Sequence, residues 1–513
     1  MKKTMEEDLD GIRPEIYRRR WQILFTLCFA LLGVMLANSS MSIALPQMSV
    51  DLGLTQLSMT WLVNIYALLF ASLLFLAGAI GDRYGRKLAL QVGSAIFAGS
   101  ALYAAVFAQT GAELIAARAM MGIGSAFIMP TTLSIVNNAF PRGQRARAIA
   151  IWSAVSGLGM MLGSVVSGIL LEFFTWHALF YLSVGIAGFG LLLNHFIVIE
   201  THDKDEHSID WLGGVLVALG IFGIVYGITE APAEGVLNPW VALGLIGGLG
   251  ATAAFVWWEL RAASPLLDIS LFKSRGFSVS WVALTLTFLA MAGVFFSISQ
   301  LIQLILGMSP LESSLAMIPL MLPMMIISPL MPNVVKKYGA RATMTGGLLL
   351  VAIAFVIMST WTVDMTYWHL AIVMWLIVGG ISATTVPGTE TLMSSVPRER
   401  SGMGSAANDL TRELGAVLGV AVLGSVLSSA YSKNIAETAS HFTGEISSAI
   451  EGSLAAALHA LQVAGPQAAQ FVVAAETAWM DALSLSAMIA AGIMFVAAAI
   501  TYLALPKPNA AKK

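Results

Sequence analysis

Charge is what this sequence has least of. Only 11% of its 513 residues are Asp, Glu, Lys or Arg, while 58% are hydrophobic and the mean hydropathy is +0.81. A soluble domain carries about 25% charged residues, so 27 cationic and 29 anionic side chains are too few to clothe a water-facing surface of this size. The bilayer is the solvent. A net charge of -2 and a pI near 6.4 leave no basic surplus for nucleic acid. The single cysteine, Cys28, lies inside the first apolar run, which excludes an intrachain disulfide. Histidine is also scarce. His177, His202, His207, His369, His441 and His459 fall at span ends or loops, and His195 lies near the end of the sixth run with no carboxylate nearby. No metal cluster, Ser/His pairing or phosphate loop emerges, which argues against an enzyme and against a cofactor.

What is present is length of apolar sequence. A helix needs about 20 apolar residues to cross a hydrocarbon core of about 30 Å, and the pattern predicts fourteen such spans. They cover 22–44, 58–79, 88–109, 112–139, 148–171, 177–199, 211–229, 239–260, 279–306, 312–331, 342–360, 368–392, 402–431 and 482–505. The first follows a charged leader and has no small-residue cleavage site behind it, so it reads as a retained span. The fold class expected is an all-α integral membrane protein.

Cationic side chains test that count, because cytoplasmic loops collect Lys and Arg. The leader holds Lys2, Lys3, Arg13, Arg18, Arg19 and Arg20. Arg83, Arg86 and Lys87 follow span 2, and Arg142, Arg145 and Arg147 follow span 4. Lys204, then Arg261, Lys273 and Arg275, then Lys336, Lys337 and Arg341, then Arg398 and Arg400, and finally Lys507, Lys512 and Lys513 continue on the same side. Lys433 alone lies opposite, and Arg118 and Arg412 fall within spans. An even number of crossings with both termini cytoplasmic is expected.

Two anchors align the chain with itself. Arg83-Tyr84-Gly85-Arg86 resembles Lys337-Tyr338-Gly339-Ala340-Arg341 at an offset of 254 residues, and Pro141-Arg142 resembles Pro397-Arg398 at 256. Spans 1–6 then correspond to spans 9–14, and spans 7 and 8 form an inserted hairpin. Because both halves start from the cytoplasm, the repeat is parallel, with a pseudo-two-fold axis along the membrane normal. The expected organisation is a cytoplasmic segment 1–20, an N-terminal six-helix bundle 21–200 and the inserted hairpin 201–262. A cytoplasmic linker 263–278, a C-terminal six-helix bundle 279–505 and a tail 506–513 complete it.

At this point the residues resemble a family. Gly78-Ala-Ile-Gly-Asp82-Arg83-Tyr-Gly85-Arg86-Lys87 is similar to the signature between helices 2 and 3 of the major facilitator superfamily. Arg118-Ala-Met-Met-Gly122-Ile-Gly124 resembles the helix-4 arginine motif of its proton-coupled exporters, and Ala44-Leu45-Pro46 resembles the end of its first-helix motif. Fourteen spans, a central hairpin and Pro265-Leu-Leu-Asp268-Ile-Ser-Leu-Phe272-Lys273 resemble the fourteen-helix drug:proton antiporters. The resemblance implies multidrug or quaternary-ammonium efflux by alternating access, from the bacterial inner membrane. Three positions depart from it. Ala37 stands where family exporters commonly carry an aspartate, Asn64 where some relatives carry an acid, and Gly163-Ser164 with Ser167-Gly168 replaces the usual fifth-helix Gly-Pro and Gly-Gly.

Charge inside a span is expensive, from about 2.5 kcal/mol upward at the centre, so each such residue is a functional candidate. Asp409, Arg412 and Glu413 share overlapping faces of span 13. At about 1.5 Å rise per residue, Asp409 lies about 10 Å and Glu413 about 16 Å deep. If Asp409 pairs with Arg412, one carboxyl remains to carry an exchangeable proton, and Glu413 is the candidate; the other reading is a static ion-paired cluster. Arg118, about 9 Å in from the external face, is implied by the resemblance to join the proton coupling, or else anchors backbone carbonyls. Glu390 near the inner end of span 12 is expected to draw cations, or is simply a solvated helix-end acid.

Substrate-lining candidates are Asn38, Asn64, Trp152, Met160 and Met161, with a stripe of Met317, Met321, Met324 and Met325 in span 10. Methionine makes an adaptable apolar lining, although such residues usually just pack. The unpaired acid favours lipophilic organic cations as cargo, competing with protons. Asp82, read as an anion on a glycine-flanked turn, is expected to latch onto the helix N-terminus at Ser401-Gly402-Met403-Gly404. Gly78, Arg83, Gly85 and Arg86 complete that latch. Residues 432–481 are expected as an external loop with an amphipathic helical hairpin broken at Gly465-Pro466. A monomer among membrane lipids, with a small-molecule substrate and protons as partners, is the expected state. The rival within transport is a lipid, metabolite or uncoupled carrier, raised by Ala37.

Overall fold

In hydrocarbon every backbone N–H and C=O must find its partner within the chain, so apolar runs of this length become helices. The computed structural model describes residues 12–201, 210–262, 265–396 and 401–506. Lys2, Lys3, His202, Lys204, His207, the Pro397-Arg398 anchor with Arg400, and Lys507, Lys512 and Lys513 lie outside the described residues.

The helices are α1 (Pro14–Leu52), α2 (Gln56–Tyr84), α3 (Arg86–Val106), α4 (Gly111–Ala139), α5 (Arg142–Phe173), α6 (His177–Ile197), α7 (Trp211–Glu234) and α8 (Pro239–Glu259). After a 3-10 turn at Ile269–Lys273 come α9 (Arg275–Gln300), α10 (Pro310–Ile327), α11 (Met331–Met358), α12 (Tyr367–Ser394) and α13 (Ser401–Ala439). The short α14 (Glu445–Gly452) and α15 (Leu454–Val463) precede α16 (Val472–Ala504). Among the described residues, twelve helices are long and apolar enough to cross a membrane, where the sequence predicts fourteen. Two local features separate the numbers. Pro310–Met358 forms one 49-residue run through a 3-10 turn, and the described apolar part of α5 is the shorter Leu158–Phe173.

Two expected loops are not loops. Helix α2 continues through Asp82 to Tyr84 and breaks only at Gly85, φ 129°. Likewise α11 carries Lys336 and Lys337 in helix and breaks at Gly339, φ 81°. A single glycine can take these left-handed angles, so one residue does the work assigned to a loop. The helical hairpin expected within 432–481 differs in detail. The run 446–461 is split at Ser453, which is extended at φ -165° and accepts from the Ala456 N–H to start α15, while α16 absorbs residues 472–481.

The same local geometry recurs at the offsets seen in the sequence. Gly53 and Gly307 have φ 60° and 66°. Thr110 N–H donates to Glu113 Oε2 and Thr366 N–H donates to His369 Nδ1, both at 3.1 Å, as two helix starts 256 residues apart. A Cβ on Gly93 would stand 2.8 Å from the Gly124 carbonyl oxygen, and one on Gly347 2.6 Å from that of Gly380.

The chain divides into two compact units. One runs up to Ala44 and from Ile65 to Ala218; the other comprises Leu45–Asn64 and everything from Leu219 onward. In the first, glycine faces let α3 and α4 touch backbone to backbone. In the second, Gly415 and Gly419 of α13 abut Thr285, Phe288 and Leu289 of α9, and Gly293 of α9 abuts Leu423. The pair α7–α8 closes through Gly223 and Gly248, with a Cβ on Gly223 only 2.7 Å from the Gly244 oxygen. The short helices α14 and α15 pack within the second unit. Tyr431 Oη donates to the Ile450 carbonyl at 3.0 Å, and the Ser49 and Ser453 hydroxyls meet at 2.8 Å in a buried contact.

Candidate functional site

The helix with three charges is held in place by glycine. With no side chains at Gly415 and Gly419, α13 lies directly on the α9 backbone; a Cβ at Gly415 would stand 2.5 Å from the Thr285 carbonyl oxygen. Asp409 and Glu413, one turn apart, are half-buried, and Arg412 is exposed. The expected Asp409–Arg412 pair does not form: among the described residues the ion pair present is Arg86–Asp82. The Arg412 guanidinium instead stands 5.5 Å from the centre of the Phe288 ring, a cation–π arrangement. Among the described residues, both carboxyls are therefore left without a cationic partner in contact. Thr389 Oγ1 donates to Asn408 Oδ1 at 3.2 Å, and each is the neighbour of an acid, so α12 brings the exposed Glu390 beside the Asp409 turn of α13.

In the first unit Arg118 is fully buried. Its Nη1 donates to the Ala37 carbonyl at 3.3 Å, and its guanidinium lies 4.3 Å from the Tyr66 ring centre. Tyr66 Oη and Ser125 Oγ meet at 2.7 Å. The contact is possible because Gly122 has no Cβ: one would run into the Tyr66 backbone. The arginine thus reaches the very position, Ala37, where a carboxylate is missing. Tyr66 and Ser125 escaped sequence reasoning, although Gly122 in the arginine motif was the available signal for close approach.

The signature segment is a helix end rather than a turn. Asp82 Oδ1 accepts from Arg86 Nε at 2.5 Å and from Ser134 Oγ at 2.8 Å, tying α2 to α3 and α4. Arg86 is buried, Arg83 exposed, and Gly78 faces Pro130 at 3.4 Å. Glu200, which sequence reasoning did not single out, accepts from the N–H groups of Lys87 and Leu88 at 3.0 and 3.1 Å, capping α3. Its carboxyl fills the space a Cβ on Gly85 would need. The side chains of Ser401 and Gly402, the expected latch partners, lie outside the described residues.

The lining candidates separate by environment. Asn64 is fully buried with neither amide atom hydrogen-bonded. Trp152 is buried and its N–H donates to Thr132 Oγ1 at 3.2 Å. Asn38, Met160 and Met324 are exposed on the protein. The methionine stripe of α10 grades from buried Met317 to exposed Met325 rather than presenting one uniform face. No group of His, Cys, Asp and Glu suited to a metal ion occurs among the described residues.

Long apolar helices that carry a few buried charges define a multi-pass membrane transporter. The Major Facilitator Superfamily model matches residues 27–420, and the chain belongs to that family. It is 32% identical over 483 residues to the multidrug efflux pump LfrA of Mycolicibacterium smegmatis, covering 94% of this chain and 95% of that one. It is 29% identical over 420 residues to the methyl viologen resistance protein SmvA of Salmonella typhimurium, with 81% and 84% covered. The tetracenomycin C resistance and export protein of Streptomyces glaucescens is 29% identical over 418 residues, with 80% and 76% covered. Among solved structures, the bacterial homologue of the human lysosomal transporter Spinster superposes with a TM-score of 0.67 at 16% identity, covering 96% of this chain and 98% of that one. The latter likeness speaks for the fold.

Proposed function

We propose that this protein exports lipophilic organic cations and other drugs in exchange for protons, through fourteen membrane crossings with both termini in the cytoplasm of a bacterial cell. One observation carries the reading: α13 holds Asp409 and Glu413 within a membrane-spanning segment while Arg412 turns to Phe288, leaving carboxyls available to a proton or a cation. The names of the relatives, multidrug efflux, methyl viologen resistance and tetracenomycin export, support drugs as cargo. Glu413 carries the exchanged proton and Asp409 is its second site. Arg118, fixed by Ala37 and Tyr66, organises the first unit, while Glu390 draws cations and Asn64 meets cargo. Asp82, through Arg86 and Ser134, holds the cytoplasmic ends of α2, α3 and α4 as one piece. Ala37 favours the competing reading, an uncoupled, lipid or metabolite carrier.

Purified protein in liposomes tests this. A fluorescent lipophilic cation should move toward the acidic compartment when a pH gradient is imposed, and Glu413→Gln should abolish the response to the gradient. Flux of the unaltered protein that ignores the gradient overturns proton exchange, and absence of any cation flux favours the lipid or metabolite carrier.

A further inference from the structure

One turn before its end, helix α7 carries an acid that the transport cycle described above does not use. Glu230 is half-buried, and its Oε1 accepts from the indole N–H of Trp61 on α2 at 2.5 Å. Around it lie aromatic faces. The Trp61 ring stands 6.0 Å from Tyr226, centre to centre, and Tyr226 stacks on Phe222 at 6.4 Å with the planes 7° apart. Tyr226 and Phe222 precede Glu230 by four and eight residues, so all three share one stripe of α7.

The surroundings fix these groups in place. The neighbouring Thr229 is fully buried, and its carbonyl accepts from Ser425 Oγ of α13 at 3.2 Å, while its own hydroxyl has no hydrogen-bond partner. On the other side Thr60, next to Trp61, packs on Gly424 of α13, 3.1 Å from where a Cβ would stand. All of these residues belong to the second unit. A carboxylate at the edge of hydrocarbon is costly unless something offsets its charge, and a single neutral N–H does so only in part. No ion pair to Glu230 occurs among the described residues. One oxygen remains for a positive charge, and the rings of Trp61, Tyr226 and Phe222 line the stripe beside it for the apolar body of such a cation. A compact hydrated ion has no use for the rings; a cation buried in aryl or alkyl groups uses both.

We propose that Trp61, Phe222, Tyr226 and Glu230 form a binding site for lipophilic organic cations on the inserted hairpin, separate from Asp409 and Glu413. The proposal rests on the cation reading of cargo given above and adds a second place where such cargo is held.

Equilibrium binding of radiolabelled tetraphenylphosphonium to the purified full chain is the test, on the unaltered protein, Glu230→Gln, Trp61→Phe and Glu413→Gln. The glutamine can still accept from Trp61, so Glu230→Gln keeps the contact and removes only the charge. The expected result is two classes of site in the unaltered protein. One class should be weakened at least tenfold by Glu230→Gln and several-fold by Trp61→Phe, while persisting in Glu413→Gln. Binding by Glu230→Gln equal to the unaltered protein in both stoichiometry and affinity overturns the site and leaves the export reading standing. A single class of site abolished by Glu413→Gln does the same. No binding to the unaltered protein overturns both.

Discussion

Asn64 separates function from packing at the level of one residue. A buried amide without partners costs about 1–3 kcal/mol of desolvation, and an apolar replacement of similar size removes that cost. Asn64→Leu should therefore leave melting temperature in detergent unchanged or raised, whereas export falls if the amide meets cargo. A variant that is destabilised would mean the amide is satisfied in another state of the protein. Arg118 is the opposite case, a buried cation whose contacts include a carbonyl, at Ala37, and a ring, at Tyr66. The missing acid at Ala37 is legible in the sequence. That Arg118 lies against this position is not, because the two residues are 81 apart in the chain.

Glycine sets the geometry of the elements. Gly419 faces the Leu289 backbone so closely that any side chain must push α13 away from α9. Overpacking costs about 1–3 kcal/mol, so Gly419→Val should lower the melting temperature and disturb the α13 acids; thermal unfolding together with the pH dependence of transport checks both. Gly85 is constrained twice, by φ 129° and by the Glu200 carboxyl. Gly85→Ala should cost about 1–2 kcal/mol for the left-handed backbone and displace the Glu200 cap, seen as lost stability and slowed export. Glu200→Gln keeps an acceptor for only one of the Lys87 and Leu88 N–H groups and turns an NH2 toward the other, so it should lose part of the cap, less than Glu200→Ala does. Helix content was legible in the sequence; the ends of helices were not. Asp82 sits in helix because α2 has no reason to stop before Gly85, and Ser453 breaks the outer hairpin through a cap that periodicity does not reveal.

Topology is testable on the whole molecule. Cys28 is buried, so introduced cysteines can be labelled against a quiet background. Leu237→Cys, on the exposed turn between α7 and α8, should react with a membrane-impermeant thiol reagent added to intact cells. Lys273→Cys should react only after permeabilisation. The reverse pattern would contradict the orientation drawn from cationic loops. Nothing in the sequence signals a division in which Leu45–Asn64 associates with the second unit. Its physical basis is visible in Ser49–Ser453, Thr60–Gly424 and Trp61–Glu230.

Apolar run length and the scarcity of charge by themselves determined that this chain is a membrane-embedded helical protein, since hydrocarbon permits little else. The nearly equal offsets of its glycine and proline anchors, 254 and 256 residues, likewise point to a repeat, because local backbone requirements are written locally. Tertiary structure alone decided which charges meet. Arg412 turns to Phe288 rather than to the acid three residues away, Glu200 caps a helix more than a hundred residues earlier, and Glu230 finds Trp61. Such partners are chosen by the close approach of distant helices, and spacing along a single helix cannot specify it.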